Sequence, residues 1–185
     1  MKKHSAIHGL LTVLAMTWAL PASASGTITP EPGDDTYRFD AHYRISIDAP
    51  VEVVWRQLTD LGSWMVDFAM THVSGEAGKT GEVLRLYPEQ DFLVQITSVV
   101  PNESLVVANL PVHFKGEFST GTTVITLYGS EGRTTVDLTM SRRYTWEQEG
   151  DNPFRSLRSS PEFTENSAAM WNRFLQQLRS LSEAS

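Results

Sequence analysis

The chain has 185 residues and a formal net charge of −7. A surface this acidic repels phosphate backbones and anionic membranes, which argues against nucleic-acid binding. With no cysteine present, disulfides, thiol nucleophiles and thiolate metal sites are excluded, and stability must come from packing.

The chain opens with Lys2 and Lys3, an apolar run from Leu10 to Leu20, and the small-residue triplet Ala22-Ser23-Ala24. This pattern predicts a secretory signal peptide over residues 1–24, cleaved after Ala24, and hence a periplasmic or secreted protein. The apolar run falls short of the roughly 20 residues that span a bilayer, so no stable membrane insertion is expected after cleavage. The removed residues carry two lysines and no acid, so the mature chain has 13 basic against 22 acidic side chains, a net charge of −9. Its size suits a single domain.

Residues 25–36, "SGTITPEPGDDT", are rich in Pro, Gly and acidic side chains and are expected to form a flexible leader. The domain is then expected over 37–185. Its first strand shows period-2 alternation, Tyr43, Ile45 and Ile47 against His42, Arg44 and Ser46. "IDAPVEVVWRQLTDLGSW" follows. Pro50 ends the strand and suits the first turn of a helix, Asp48 is placed to cap it, and Val51, Val54, Trp55 and Leu58 share one face. Asp60 and Gly62 end that helix, and the residues from Ser63 predict a second short one. Further strands are expected at Thr71–Ser74, Gly81–Tyr87, Phe92–Val100, Ser104–Leu110, Phe118–Tyr128 and Thr134–Trp146, separated by the turn sequences "GEAGKTG", "PEQD", "PNE" and "GSEGR". Such short connections imply antiparallel neighbours. The chain closes with a long amphipathic helix: Ser160 at the N-cap, Pro161 at the first position, Glu162 in the first turn, and an apolar stripe of Phe163, Met170, Trp171, Phe174, Leu175, Leu178 and Leu181.

The Ala-Pro-x-x-x-x-Trp segment, the "GTTVITL" strand at Gly121–Leu127 and the terminal helix together resemble the START-like superfamily, also called SRPBCC, which includes polyketide cyclase/dehydrase and pollen-allergen-like proteins. The resemblance covers about Phe39 to Leu181. It implies an α+β helix-grip fold: a curved, seven-stranded, mostly antiparallel sheet around the C-terminal helix, two short helices after the first strand, and a cavity for an apolar ligand.

No catalytic motif is complete. "GEAGKT" lacks the first glycine of a phosphate-binding loop and leads into a strand, so it reads as a turn. The mature histidines, His42, His72 and His113, lack metal-ligand spacing, and neither metal nor cofactor is expected. Strand periodicity carries Arg142 to the same side as Met140, where it would meet a ligand carboxylate, unless the sheet has ended there and leaves it in solvent. Arg85 and Tyr87 invite the same pair of readings. The candidate cavity residues are Trp64, His72, Arg85, Tyr87, Met140, Arg142, Trp171 and Phe174, with Phe154 in the long segment 147–160 as a lid candidate. The resemblance implies a carrier for a hydrophobic small molecule or lipid. The alternatives are a cyclase or dehydratase-like enzyme, with His72 or Arg142 positioning a proton donor, and an envelope interaction protein whose cavity is filled.

Overall fold

The computed structural model describes residues 23–30, 36–114, 117–146 and 160–185. Eight strands form one antiparallel sheet: β1 Ser23–Pro30, β2 Thr36–Ile47, β3 Thr71–Ser74, β4 Val83–Tyr87, β5 Gln90–Val100, β6 Ser104–Phe114, β7 Glu117–Ser130 and β8 Arg133–Trp146. Their order across the sheet is β1-β2-β8-β7-β6-β5-β4-β3. Two short helices, α1 Val51–Thr59 and α2 Leu61–Trp64, follow β2, and α3, Pro161–Glu183, lies against the inner face.

The core follows from the pleat, since alternate residues of a strand face the same side. Tyr43, Leu138 and Ile125 lie in one cross-strand row, and Ile45, Val136 and Leu127 in the next. All six are buried, as are Trp171, Phe174, Leu175 and Leu178 on α3. α3 spans about 34 Å at 1.5 Å per residue and begins as the sequence indicates, with Ser160 Oγ accepting from Phe163 N at 3.3 Å and Pro161 in the first turn.

The fold departs from the sequence reading in several places, among them that α2 already begins at Leu61 and includes Gly62; three bear on the site and its frame. Residues 23–30, expected within a signal peptide and a flexible leader, form edge strand β1, which pairs with β2 from Ser23↔Arg44 to Pro30↔Tyr37 and raises the strand count from seven to eight. This strand pairs along its backbone with β2 and touches α3; Ser25, Thr27 and Thr29 are exposed and alternate with Ala24, Gly26 and Ile28, a pattern whose small residues give it little apolar weight in the sequence. Gly26 lets it approach the core, because a Cβ there would lie 3.2 Å from the Phe39 ring and 3.1 Å from Thr164 Cγ2. Secondly, β6 continues past Leu110 to Phe114 through a register shift between Asn109 and Val112, where Pro111 lacks a donor for the regular ladder. Thirdly, Asp48 does not cap α1. Pro50 occupies the cap position, and Asp48 Oδ1 instead accepts from Arg133 Nε at 2.7 Å. Without a side-chain cap, α1 is held by packing, with Val54 and Leu58 fully buried. The "GEAGKTG" segment is a turn, as expected: Gly75 and Gly78 have positive φ, and the buried Glu82 carboxylate accepts from Gly78 N at 2.6 Å.

Candidate functional site

Between α3 and the sheet lies a cavity of about 490 Å³. Its apolar walls are aromatic and thioether side chains: Phe39 from β2, Phe68 after α2, Tyr87 from β4, Phe92 from β5, Met140 and Tyr144 from β8, and Phe163, Met170 and Trp171 from α3. Polar groups also reach the lining: Glu117 and Ser119 of β7, Arg142 of β8, and Asn166 and Ser167 of α3.

Strand β7 explains why the cavity exists. Its inward residues run Leu127, Ile125, Thr123, Gly121, Ser119 and Glu117, so the face changes from large apolar to small or polar halfway along. The core fills the first half against Leu138 and Val136, while the second half leaves space beneath α3. Gly121 is central, because a Cβ there would come within 2.7 Å of Arg142 Cγ and 2.8 Å of the Ser141 carbonyl. Its absence allows the Arg142 side chain to lie across the inner face.

A second, smaller cavity of about 30 Å³ adjoins the first. It shares Phe68, Leu86, Arg142 and Trp171 with the larger one and adds Trp64, Asn109 and Thr123. Nearby, Tyr43 Oη lies 3.4 Å from Ser167 Oγ. Burial pushes the Tyr43 hydroxyl above its ordinary value of 10.0, against the opposing effects of the Ser167 hydrogen bond and the Arg142 charge. Arg142 Nε and Asn109 Nδ2 are both buried and have no hydrogen-bond partner.

Of the residues singled out in the sequence, Tyr87, Met140, Arg142 and Trp171 line the larger cavity. Arg142 therefore lies within the sheet and not beyond its edge, paired in register with Gly121 and Phe39. Trp64 is fully buried, borders the smaller cavity and donates from Nε1 to Leu58 O at 3.1 Å. Phe174 is core: it packs against Phe68 and Trp171 at centroid distances of 5.3 and 5.5 Å and lines neither cavity. His72 is exposed on β3, 3.0 Å from the Gly75 carbonyl, and stands outside both cavities. Arg85 also lines neither, because Leu84 and Leu86 hold the inner face of β4; a register shift between Arg85 and Tyr87 brings Tyr87 back to the cavity. Phe154 lies outside the described residues.

Sequence reasoning missed Glu117, Ser119, Asn109, Asn166 and Ser167. The signal was present in "EFSTGTTVITL", whose polar half and apolar half share one parity.

This arrangement of sheet and helix recurs in solved structures. The crystal structure of CalU16 from Micromonospora echinospora matches with a TM-score of 0.55 at 16% identity, covering 88% of this chain and 87% of that one. Truncated norcoclaurine synthase from Thalictrum flavum matches with a TM-score of 0.54 at 11% identity, covering 82% of this chain and 97% of the other. Ara h 8.0201 matches with a TM-score of 0.54 at 9% identity, covering 81% and 99% respectively. The chain has the helix-grip fold. At these identities the likeness is one of fold, shared with the START-like proteins that the sequence resembles. No protein-family model matches the chain, and no curated protein matches it in sequence. Within the helix-grip fold, the described side chains leave a gap between sheet and terminal helix, lined by apolar residues and a few polar groups.

Proposed function

We propose that this protein binds a hydrophobic small molecule in its internal cavity and acts as an exported carrier. The observation behind this reading is a cavity of about 490 Å³, inside the range of about 300–1,000 Å³ for small-molecule sites, with largely apolar walls and a few polar groups. Export is supported by the charged start, short apolar run and small-residue triplet of residues 1–24. Native mass spectrometry of protein purified gently from the cells that make it tests both parts. A retained apolar molecule on a chain that begins at Ser25 is the expected result. A chain that retains residues 1–24 contradicts export. A protein without a retained molecule that also fails to take up the neutral apolar dye N-phenyl-1-naphthylamine contradicts binding.

A second reading, an enzyme, is favoured by one observation: Glu117 is a carboxyl group only 5% exposed on the cavity wall, a position from which it can exchange a proton with a bound molecule. Norcoclaurine synthase is by name an enzyme on this fold. Conversion of the retained molecule during incubation, abolished in Glu117→Gln, supports this reading, and an unchanged mass removes it.

A further inference from the structure

We infer that the ligand is an amphipathic acid, seated with its carboxylate in the small cavity between Arg142 and Asn109 and its apolar body in the larger one. This rests on the cavity being a binding site and adds the chemical class of what fills it.

The register brings the two donors together. Asn109, Gly121 and Arg142 are consecutive partners across β6, β7 and β8. Two strand spacings put Asn109 and Arg142 about 10 Å apart at their backbones, close enough for both side chains to reach one small group above the glycine. Gly121 contributes no side chain to block that space, and any Cβ there would strike Arg142.

Both donors are left without partners. Asn109 is 8% exposed and its Nδ2 has no acceptor; Arg142 Nε is buried and equally without one. Buried polar groups are almost always satisfied, so two unsatisfied donors facing one small space call for an acceptor there. Glu117 lines the larger cavity and not the smaller. An acceptor with negative charge at this point meets both requirements at once.

The space has the right size. About 30 Å³ holds roughly two water-sized groups, which corresponds to the two oxygens of a carboxylate. The Nε edge of a guanidinium pairs side-on with such a group, and the Asn109 amide supplies a further donor. Phe68, Leu86 and Trp171, shared by the two cavities, form an apolar collar through which the body of the molecule passes into the larger chamber.

The test uses the whole protein loaded with N-phenyl-1-naphthylamine, whose fluorescence reports occupancy, and compares displacement by dodecanoate and by 1-dodecanol at neutral pH. Dodecanoate is expected to displace the dye at about tenfold to a hundredfold lower concentration, the worth of one or two charge-assisted hydrogen bonds. Arg142→Met is expected to abolish that preference and Asn109→Leu to reduce it, read in each variant as the ratio of dodecanoate to 1-dodecanol displacement. Equal displacement by acid and alcohol in the native protein, with the dye bound normally, overturns the acid inference and leaves the cavity reading intact. A preference that survives in both variants also overturns it. Failure of the dye to bind overturns the cavity reading itself.

Discussion

Replacing Gly121 by alanine isolates the feature on which the site depends. Two effects of opposite sign compete. A glycine-to-alanine change stiffens the unfolded chain and stabilises by about 0.4–1 kcal/mol wherever the methyl group fits. Here it does not fit: the Cβ would lie 2.7 Å from Arg142 Cγ, 2.8 Å from Ser141 O and 3.1 Å from Arg142 Cα. The first of these atoms is near the root of its side chain and the other two are backbone in a central strand pair, so none yields without moving β8. Overpacking of this kind costs about 1–3 kcal/mol; at the middle of that range, about 2 kcal/mol, the entropic gain leaves a net loss of about 1–1.6 kcal/mol. For a domain of this size each kcal/mol moves Tm by about 2–4 °C, so a fall of about 2–6 °C is expected by calorimetry or circular dichroism. Gly62 is the control. Its added Cβ would meet only Asp60 Oδ1, at 3.9 Å, on helix α2, so Gly62→Ala is expected to leave Tm unchanged or raise it. A Gly121→Ala protein as stable as the native one would refute the claim that this glycine makes room for Arg142.

Leu178, fully buried on α3, is expected to cost about 2–5 kcal/mol on replacement by alanine in denaturant titration, and a loss below 1 kcal/mol would mean that α3 is not gripped by the sheet. Trp64→Phe removes the indole donor to Leu58 O and should lower stability by about 1–3 kcal/mol through an unsatisfied buried carbonyl and lost volume; an unchanged denaturation midpoint would refute that anchor. On the outer face of the sheet, burial pushes the Asp137 carboxyl upward, but hydrogen bonds from Arg44 and His42 outweigh it and hold the group below its ordinary 3.8. A depressed carboxyl stabilises the fold above its unfolded pKa and loses that contribution as pH falls through the folded value. Asp137→Asn should therefore be less stable than the native protein at neutral pH, with the gap closing below about pH 4, and a gap independent of pH would contradict the assignment.

The fold was legible because its elements carry their own periodicities. Tyr43, Ile45 and Ile47 mark a strand, Trp171, Phe174, Leu175 and Leu178 mark a helix, and Ser160-Pro161 fixes where that helix starts. Strand β1 was hidden because its alternation, Ala24, Gly26 and Ile28 against Ser25, Thr27 and Thr29, offers almost no bulky apolar residue, and its pairing with β2 and close approach at Gly26 show only in the fold. The site was legible in part. Parity placed Arg142 beside Met140, and the open question was only whether the sheet extended that far; it does, with β8 running to Trp146. Asn109 could not be assigned, because its place opposite Arg142 depends on the registers of three strands and on the shift that follows it. His72 and Arg85 failed for a related reason. They sit on β3 and β4, where short strands and register shifts leave inward and outward faces undetermined by sequence.

The most direct test of a ligand cavity is where an apolar probe comes to rest. In two-dimensional ¹⁵N NMR spectra of the protein titrated with N-phenyl-1-naphthylamine, binding between sheet and helix shifts the amides of Ser119, Met140, Ser167 and Trp171, which line the cavity, and leaves those of Val73 and Tyr128, exposed outside it, in place. Saturable shifts confined to exposed residues, or none at all, would contradict a binding role for the cavity.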